Sequence, residues 1–162
     1  MPETREGNAM AFDDWVSVRS TPGGFRATFP NQPEGTTEST SHEGEEVKTT
    51  LWTSETDDYA CTVGIVEFGN YNPATNPRDV LDGALSGVLA ELDGEVTESR
   101  QMDHDGKPAL NAVVKFDEGF AALRMVSFGP KLYYAQVLSE EMQPEIFDYF
   151  ADSLALLEET PA

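Results

Sequence analysis

The chain is poor in the side chains that most often carry chemistry. Its 162 residues include one cysteine, Cys61, and two histidines, His42 and His104. A single cysteine excludes an internal disulfide, and neither histidine has a second histidine at the spacing of a zinc site. Cys61 lies in an apolar run, which favours a small buried side chain over a reactive thiol.

Catalytic motifs are missing as well. Residues 83–87 (GALSG) come close to a nucleophile elbow, but the serine is one place late and lies within a predicted helix. Residues 103–106 (DHDG) resemble part of a calcium loop but lack the remaining ligands, so a simple turn is favoured. No pair of residues suited to acid–base or nucleophilic catalysis can be named. We therefore predict no catalytic residues, no metal site and no cofactor, and expect that the protein is not an enzyme.

Basic residues are scarce. Ten lysines and arginines stand against 30 aspartates and glutamates, which gives a formal net charge of −20. Such a surface repels nucleic acid and anionic membranes, so neither is expected as a partner. A basic protein partner, cations and high salt are compatible with it. Solubility alone, or a host with a salty interior, also accounts for the imbalance.

Long hydrophobic runs are absent too. No apolar stretch approaches the length of a membrane span, so membrane insertion is not expected. The first residues, MPETRE, lack the basic and then apolar order of a signal peptide. The sequence as written predicts a cytoplasmic protein. The alternative is an exported or lipoprotein domain whose leader has been removed.

Two amphipathic helices are predicted, over residues 77–93 and 144–156. Asn76 can cap the first helix, Pro77 suits its first position, and Gly94 can end it. Apolar residues recur at helical spacing in both segments, which indicates one buried face on each helix. On these faces we expect two residues in particular to be buried, Leu85 and Phe150.

Alternating patterns predict strands on both sides of the first helix. Residues 35–42 fit either an edge strand or a loose loop, whereas residues 59–68 are apolar on both faces and should form a central strand. Tight hairpin turns make the sheet antiparallel, so the fold class is α+β. Residues 1–12 read as a flexible tail and residues 13–158 as a single domain of ordinary size.

Several segments resemble bacterial proteins of the PsbP-like family, and together they span roughly residues 15–157. The clearest is GFRATFP with a second proline soon after, which is similar to a family strand that ends in Phe-Pro. The other matching segments are residues 80–84, 94–96, 106–109, 132–134 and 147–156. The resemblance implies an α/β/α sandwich around an antiparallel sheet, a fold shared with the extrinsic photosystem II subunit and the Mog-type Ran-binding proteins. It implies no catalytic residues, because family members serve as assembly factors, lipoproteins and secretion chaperones.

Four residues are candidates for a binding site. Trp52, Tyr71 and Tyr134 could stack on a ligand, although aromatic residues in strands more often pack against their neighbours. Arg124, among apolar strand residues, could bind an anion or a partner's carboxylate, or could pair with a local Asp or Glu.

These features favour a non-enzymatic binding or assembly module that engages a protein partner through a sheet face or a groove. The alternative is a small-ligand or metal-binding domain. We expect the groove or face to be lined by apolar and aromatic side chains, without clustered, buried titratable groups.

Overall fold

A computed structural model describes residues 15–20, 24–42, 45–68, 76–104, 106–128 and 131–156. Within these ranges the chain forms ten strands and two helices. The strands are β1 (Val16–Ser20), β2 (Phe25–Phe29), β3 (Glu34–His42), β4 (Glu45–Glu55), β5 (Tyr59–Phe68), β6 (Glu95–His104), β7 (Lys107–Phe116), β8 (Gly119–Phe128), β9 (Lys131–Ser139) and β10 (Ala155–Leu156). The helices are α1 (Pro77–Leu92) and α2 (Pro144–Ser153). The predicted tail, residues 1–12, lies outside the described residues.

The strands form a seven-stranded sheet in the order β3-β4-β5-β9-β8-β7-β6 and a three-stranded sheet in the order β1-β2-β10. Every pairing is antiparallel. Of the two alternatives for residues 35–42, the edge strand is correct, because β3 pairs along its length with β4. The prediction of a central strand at residues 59–68 is confirmed, since β5 lies between β4 and β9.

One face of the large sheet carries the main core, and we call it the first face. Its side chains from β5, β8 and β9 pack against β2 and α2. Phe29 and Phe150 meet there edge to face, with ring centroids 5.3 Å apart. The Oγ of Ser153 accepts a hydrogen bond of 3.0 Å from the Thr28 amide, which links α2 to β2. The end of α2 is therefore fixed to the small sheet as well as to the large one.

The opposite, second face packs against α1. Alternation along β7 and β8 sends Leu110, Leu123 and Met125 to this side, where they contact the apolar stripe of the helix. The stripe holds one fully buried side chain, Leu81. Leu85 packs against two apolar clusters but is only half-buried, so its predicted burial is met in part.

Both predicted helices are present, but each ends earlier than predicted. Asn76 caps α1 as expected, accepting a 2.9 Å hydrogen bond from the Arg78 amide. The helix ends at Leu92, and Asp93 takes the left-handed conformation (φ 54°) just before Gly94. Helix α2 ends at Ser153 rather than near residue 156, because Leu154 turns extended and the next two residues pair with β2.

The α+β class with an antiparallel sheet and two helices is confirmed for the described residues. The sandwich implied by the family resemblance stays a prediction. A three-stranded sheet shares the first face with α2, and α1 makes its main contacts with β7 and β8.

Candidate functional site

A buried polar cluster lies beneath α2 on the first face, centred on Arg124 of β8. The Arg124 side chain is 6% exposed and donates three hydrogen bonds. They run from Nε to Oδ1 of Asn111 (2.9 Å), from Nη1 to Oδ1 of Asp152 (2.8 Å) and from Nη1 to Nδ1 of His104 (3.3 Å). Of the alternatives for Arg124, pairing with an acidic side chain of the same chain is what the structure shows. The guanidinium joins three strands of the sheet to the last turn of α2.

His104 completes this cluster, and its tautomer follows from its neighbours. An arginine only donates, so Nδ1 of His104 must accept and carry no proton. Nε2 is then the protonated nitrogen, and it donates to the Leu154 carbonyl oxygen at 2.6 Å. That carbonyl lies just past the C-terminus of α2, where helix carbonyls lack partners within the helix and the dipole favours positive charge. His104 and Arg124 thus hold the end of α2, and the expectation of no clustered, buried titratable groups is wrong.

Beside this cluster a groove of about 390 Å³ opens between the first turns of α2 and the sheet. Its apolar floor and wall are Val113, Ala122 and Phe147, with the exposed Met142 at one end. Its polar lining is Glu98, Ser99 and Arg100 of β6, Asn111 of β7 and Asp148 of α2. We call this cavity the α2 groove. Because α2 makes most of its sheet contacts with β8 and β9, the first face of β6 and β7 beside the first turns of α2 forms the open side.

Arg124 sets the position of both sides of the α2 groove. It binds Asn111 in the floor and Asp152 one helical turn beyond Asp148 in the wall. The Arg100 side chain, in contrast, makes no hydrogen bond or ion pair with any of the described residues. The Arg124 guanidinium, below the groove surface, is therefore used in contacts within the fold. The Arg100 guanidinium, at the rim, is available to a partner.

A second hollow, of about 580 Å³, lies where three turns meet at one end of the large sheet. Its charged lining consists of carboxylates only: Glu55, Asp57, Asp58, Glu118, Glu140 and Glu141. Among the residues that the structure describes, no three acidic, histidine or cysteine side chains are grouped to hold a metal ion. Asp105 of the DHDG turn lies outside the described residues. The α2 groove is the better candidate site, because it combines an apolar floor with opposite charges.

The structure separates the three predicted site residues that it describes, Trp52, Arg124 and Tyr134. Cross-strand pairing places Trp52 and Arg124 in one row on the first face, through Val63 and Ala135. Three strand spacings, about 14 Å, lie between them. Tyr134 points to the second face, and Tyr71 lies outside the described residues. Of the three that the structure describes, Arg124 alone contacts the α2 groove, and it does so through Asn111.

Trp52 packs into the fold as the more common alternative for strand aromatics predicts. Its ring lies 6.1 Å from that of Phe25 and covers Gly35 on β3, where a Cβ atom would come within 3.0 Å of the indole. The indole Nε1 is buried without a hydrogen-bond partner among the described residues. Trp52 therefore joins the edge of the sheet to the core.

Tyr134 fills a space left open by a glycine. It pairs across the strands with Gly64, and a Cβ atom at Gly64 would overlap the Tyr134 ring. Burial, with a smaller contribution from the nearby Glu91 carboxylate, raises the pKa of the Tyr134 hydroxyl to about 12. The ring packs with the α1 cluster around Leu81. Tyr134 thus belongs to the second core.

The Gly64–Tyr134 contact predicts strong coupling between the two positions. Gly64→Ala should lower the free energy of unfolding by about 1–3 kcal/mol, because the tyrosine must leave its packed position. Tyr134→Leu should restore part of that loss in the double variant. Urea titrations of the two single variants and the double variant give the coupling energy. Purely additive losses would show that the ring does not depend on this glycine.

Cys61 is fully buried in the main core, as its apolar surroundings predict. Burial raises the pKa of its thiol to about 12, so the thiolate needed for nucleophilic chemistry is absent near neutral pH.

The native protein should therefore not react with a thiol reagent at pH 8, whereas the unfolded protein should react rapidly. The raised pKa also makes unfolding easier at high pH. Between the ordinary pKa of 9.0 and about 12 the folded thiol keeps a proton that the unfolded chain releases. The free energy of unfolding should decline across that range, and the Cys61→Ala variant should decline less. Rapid labelling of the native protein would contradict this account.

No family model matches the chain, and no curated protein sequence matches it at a significant level. Among solved structures, the chain is similar to the solution structure of cyanobacterial PsbP (CyanoP) from Synechocystis sp. PCC 6803. The TM-score is 0.59 at 15% sequence identity, and the alignment covers 88% of this chain and 92% of the other. A similarity at this identity establishes the fold. The PsbP-like fold expected from the sequence is therefore confirmed.

Both described helices are too short or too polar to cross a membrane.

Proposed function

We propose that this chain is a non-catalytic PsbP-type domain that binds a protein partner in the α2 groove. The observation that carries the proposal is the groove itself, with an apolar floor, an exposed Met142 and an available Arg100 at its rim. Interfaces are commonly built in this way, with an apolar centre surrounded by polar and charged groups. The similarity in fold to cyanobacterial PsbP supports a domain of this type.

Two side chains suited to catalysis, those of His104 and Cys61, have structural roles, which supports a binding function. Both ring nitrogens of His104 are hydrogen-bonded within a buried cluster, and the Cys61 thiol is protonated in the core. Arg124 is hydrogen-bonded to three side chains of the cluster, those of Asn111, His104 and Asp152. Acid–base and nucleophilic catalysis both need an accessible group with a free position toward a substrate. Neither His104 nor Cys61 offers one.

Arg124 acts in this proposal as a positioning residue. Its hydrogen bonds to Asn111 and Asp152 fix the distance between the floor and the helical wall of the groove. A partner would then meet a surface whose shape is set before binding, which reduces the ordering cost of association.

The test is quantitative co-purification of partner proteins from the native host. It compares the wild type with a variant whose groove is filled by a larger side chain. Val113→Trp places a bulky side chain on the groove floor without a change of charge, in a strand that favours aromatic residues. Thr49→Trp is the matched control, a half-buried strand position that alternates onto the second face. We expect Val113→Trp to lose a protein that the wild type and Thr49→Trp both retain. Equal recovery with all three proteins, each shown to be folded by circular dichroism, would contradict the proposal.

A second candidate function is small-ligand binding at the same groove. Its volume of about 390 Å³ falls in the range of small-molecule sites, and Arg100 is available to a ligand's anionic group. Native mass spectrometry of freshly purified protein separates the two functions. Added mass that Val113→Trp removes would favour a ligand, and its absence with a retained protein partner would favour the first function.

The proposal also includes the sandwich arrangement of the fold, the limits of the domain and its location in the cell. The two helices pack on alternating side chains of β8, which supports the α/β/α sandwich. Domain limits of 13–158 and a cytoplasmic location, or an exported one after removal of a leader, are consistent with this domain type.

A further inference from the structure

We infer that the partner of the α2 groove is a basic amphipathic helix that packs beside α2 across β6 and β7. This inference rests on the function proposed above and specifies the partner's chemistry. Three observations carry it: the charges of the groove, the width of the uncovered sheet, and the apolar groups along its floor.

The charges around the groove favour a cationic partner. Glu98 on the strand side and Asp148 on the helix side line the groove, and Glu145 is exposed in the same first turns of α2. Helix α2 contains no lysine or arginine, and Arg100 is the only cation among the groove's lining residues. The net charge of −20 adds long-range attraction for a basic protein. Lysines or arginines along both edges of a partner helix would meet Glu98 on one side and Asp148 on the other.

The width of the uncovered sheet matches a helix. From β8, on which α2 packs, to the edge strand β6 there are two strand spacings, or about 10 Å. Packed helices lie 8–10 Å apart, so a helix placed over β6 and β7 would contact α2 along its side. It would extend the α2 layer across the part of the first face that α2 does not cover.

The floor provides apolar contacts at the places where such a helix would need them. Val113 lies half-buried in the floor, Phe147 forms the wall and Met142 projects at the end with 37% of its surface exposed. An apolar stripe at helical spacing would pack on these side chains, as in other helix-in-groove complexes. The unbranched, polarisable methionine side chain adapts readily to different apolar surfaces.

A designed peptide tests the inference directly. The probe is a fluorescein-labelled peptide of leucine and lysine, about five helical turns long, with its leucines on one face. A scrambled peptide of the same composition has no apolar face and serves as the peptide control. Binding to the full chain is measured by fluorescence anisotropy at about 0.15 M salt, where the charge attraction acts over roughly 8 Å.

Charge-reversed variants locate the binding surface. Glu98→Lys with Asp148→Lys reverses both walls of the groove. Asp82→Lys with Glu34→Lys makes the same change in net charge at exposed positions on α1 and on the opposite edge strand. We expect saturable binding of the amphipathic peptide, weakened about tenfold or more by the groove variant and less than about threefold by the control variant.

The following results would overturn the inference that the partner is a basic amphipathic helix. Equal weakening by both variants, or equal binding of the scrambled peptide, would mean attraction to the acidic surface in general. Dimerisation of the wild type that Val113→Trp abolishes would make a second copy of this chain the occupant. If Val113→Trp loses a native partner protein while the peptide fails to bind, this inference fails and the proposed function stands. Retention of every native partner by Val113→Trp would contradict the proposed function itself.

Discussion

Phe150→Ala is expected to lower the free energy of unfolding by about 3–5 kcal/mol. The Phe150 side chain is fully buried and packs against Phe29, so its removal leaves a cavity between α2 and the small sheet. The neighbouring exposed Asp148→Ala, in the same helix, is the matched control and should change stability by less than about 0.5 kcal/mol. Urea unfolding of both variants measures the difference. A loss below about 1 kcal/mol for Phe150→Ala would mean that α2 does not dock on β2 through this ring.

Arg124→Met is expected to lower the free energy of unfolding by about 2–4 kcal/mol. The substitution keeps an apolar stem of similar length but leaves Nδ1 of His104 and Oδ1 of Asn111 without their donor in a buried site. The Asp152 carboxylate is 69% exposed and can return to water, so it adds little to the loss.

Asp152→Asn separates the ion pair from the rest of the cluster. The amide oxygen can still accept from Nη1 at an exposed position, so a loss of about 1 kcal/mol or less is expected. Chemical denaturation of Arg124→Met, Asp152→Asn and the double variant measures each contribution. Losses of equal size for both single variants would show that the exposed ion pair, and not the buried hydrogen bonds, holds α2 in place.

The strand and helix patterns predicted most of the fold because each depends on local spacing. Apolar residues on both faces of residues 59–68 identified the central strand, and the Asn76-Pro77 pair identified the start of α1. The end of α2 was harder to predict, because its apolar pattern continues through Leu156. Pairing of Ala155 and Leu156 with β2, more than 120 residues earlier in the chain, ends the helix where local spacing alone would extend it.

The candidate site was less predictable, because its contacts join distant parts of the chain. Arg124 stood out as a charge among apolar strand residues, and an acidic partner was expected. That the partner is Asp152, and that His104 and Asn111 share the guanidinium, depends on how α2 docks. One signal was available: Asn111 and Arg124 occupy facing strands at opposed positions of a hairpin.

The groove residues Arg100, Val113 and Met142 gave no signal of their own. Arg100 reads as an ordinary surface residue of an edge strand, and Met142 lies in the loop before α2. They become neighbours because α2 packs on β8 and β9 and leaves β6 and β7 open beside it. Trp52 and Tyr134, the most prominent aromatic candidates, fill spaces over Gly35 and Gly64 in the fold.

The central claim is that the α2 groove binds a protein, and site-specific photo-crosslinking tests it most directly. A photoreactive amino acid replaces Met142 at the end of the groove, and in a second protein it replaces the exposed Asp82 on α1. After irradiation in the native host, we predict a discrete crosslinked protein with the Met142 variant that is absent with the Asp82 variant. Identical products from both positions, or no crosslinked protein at Met142, would contradict the claim.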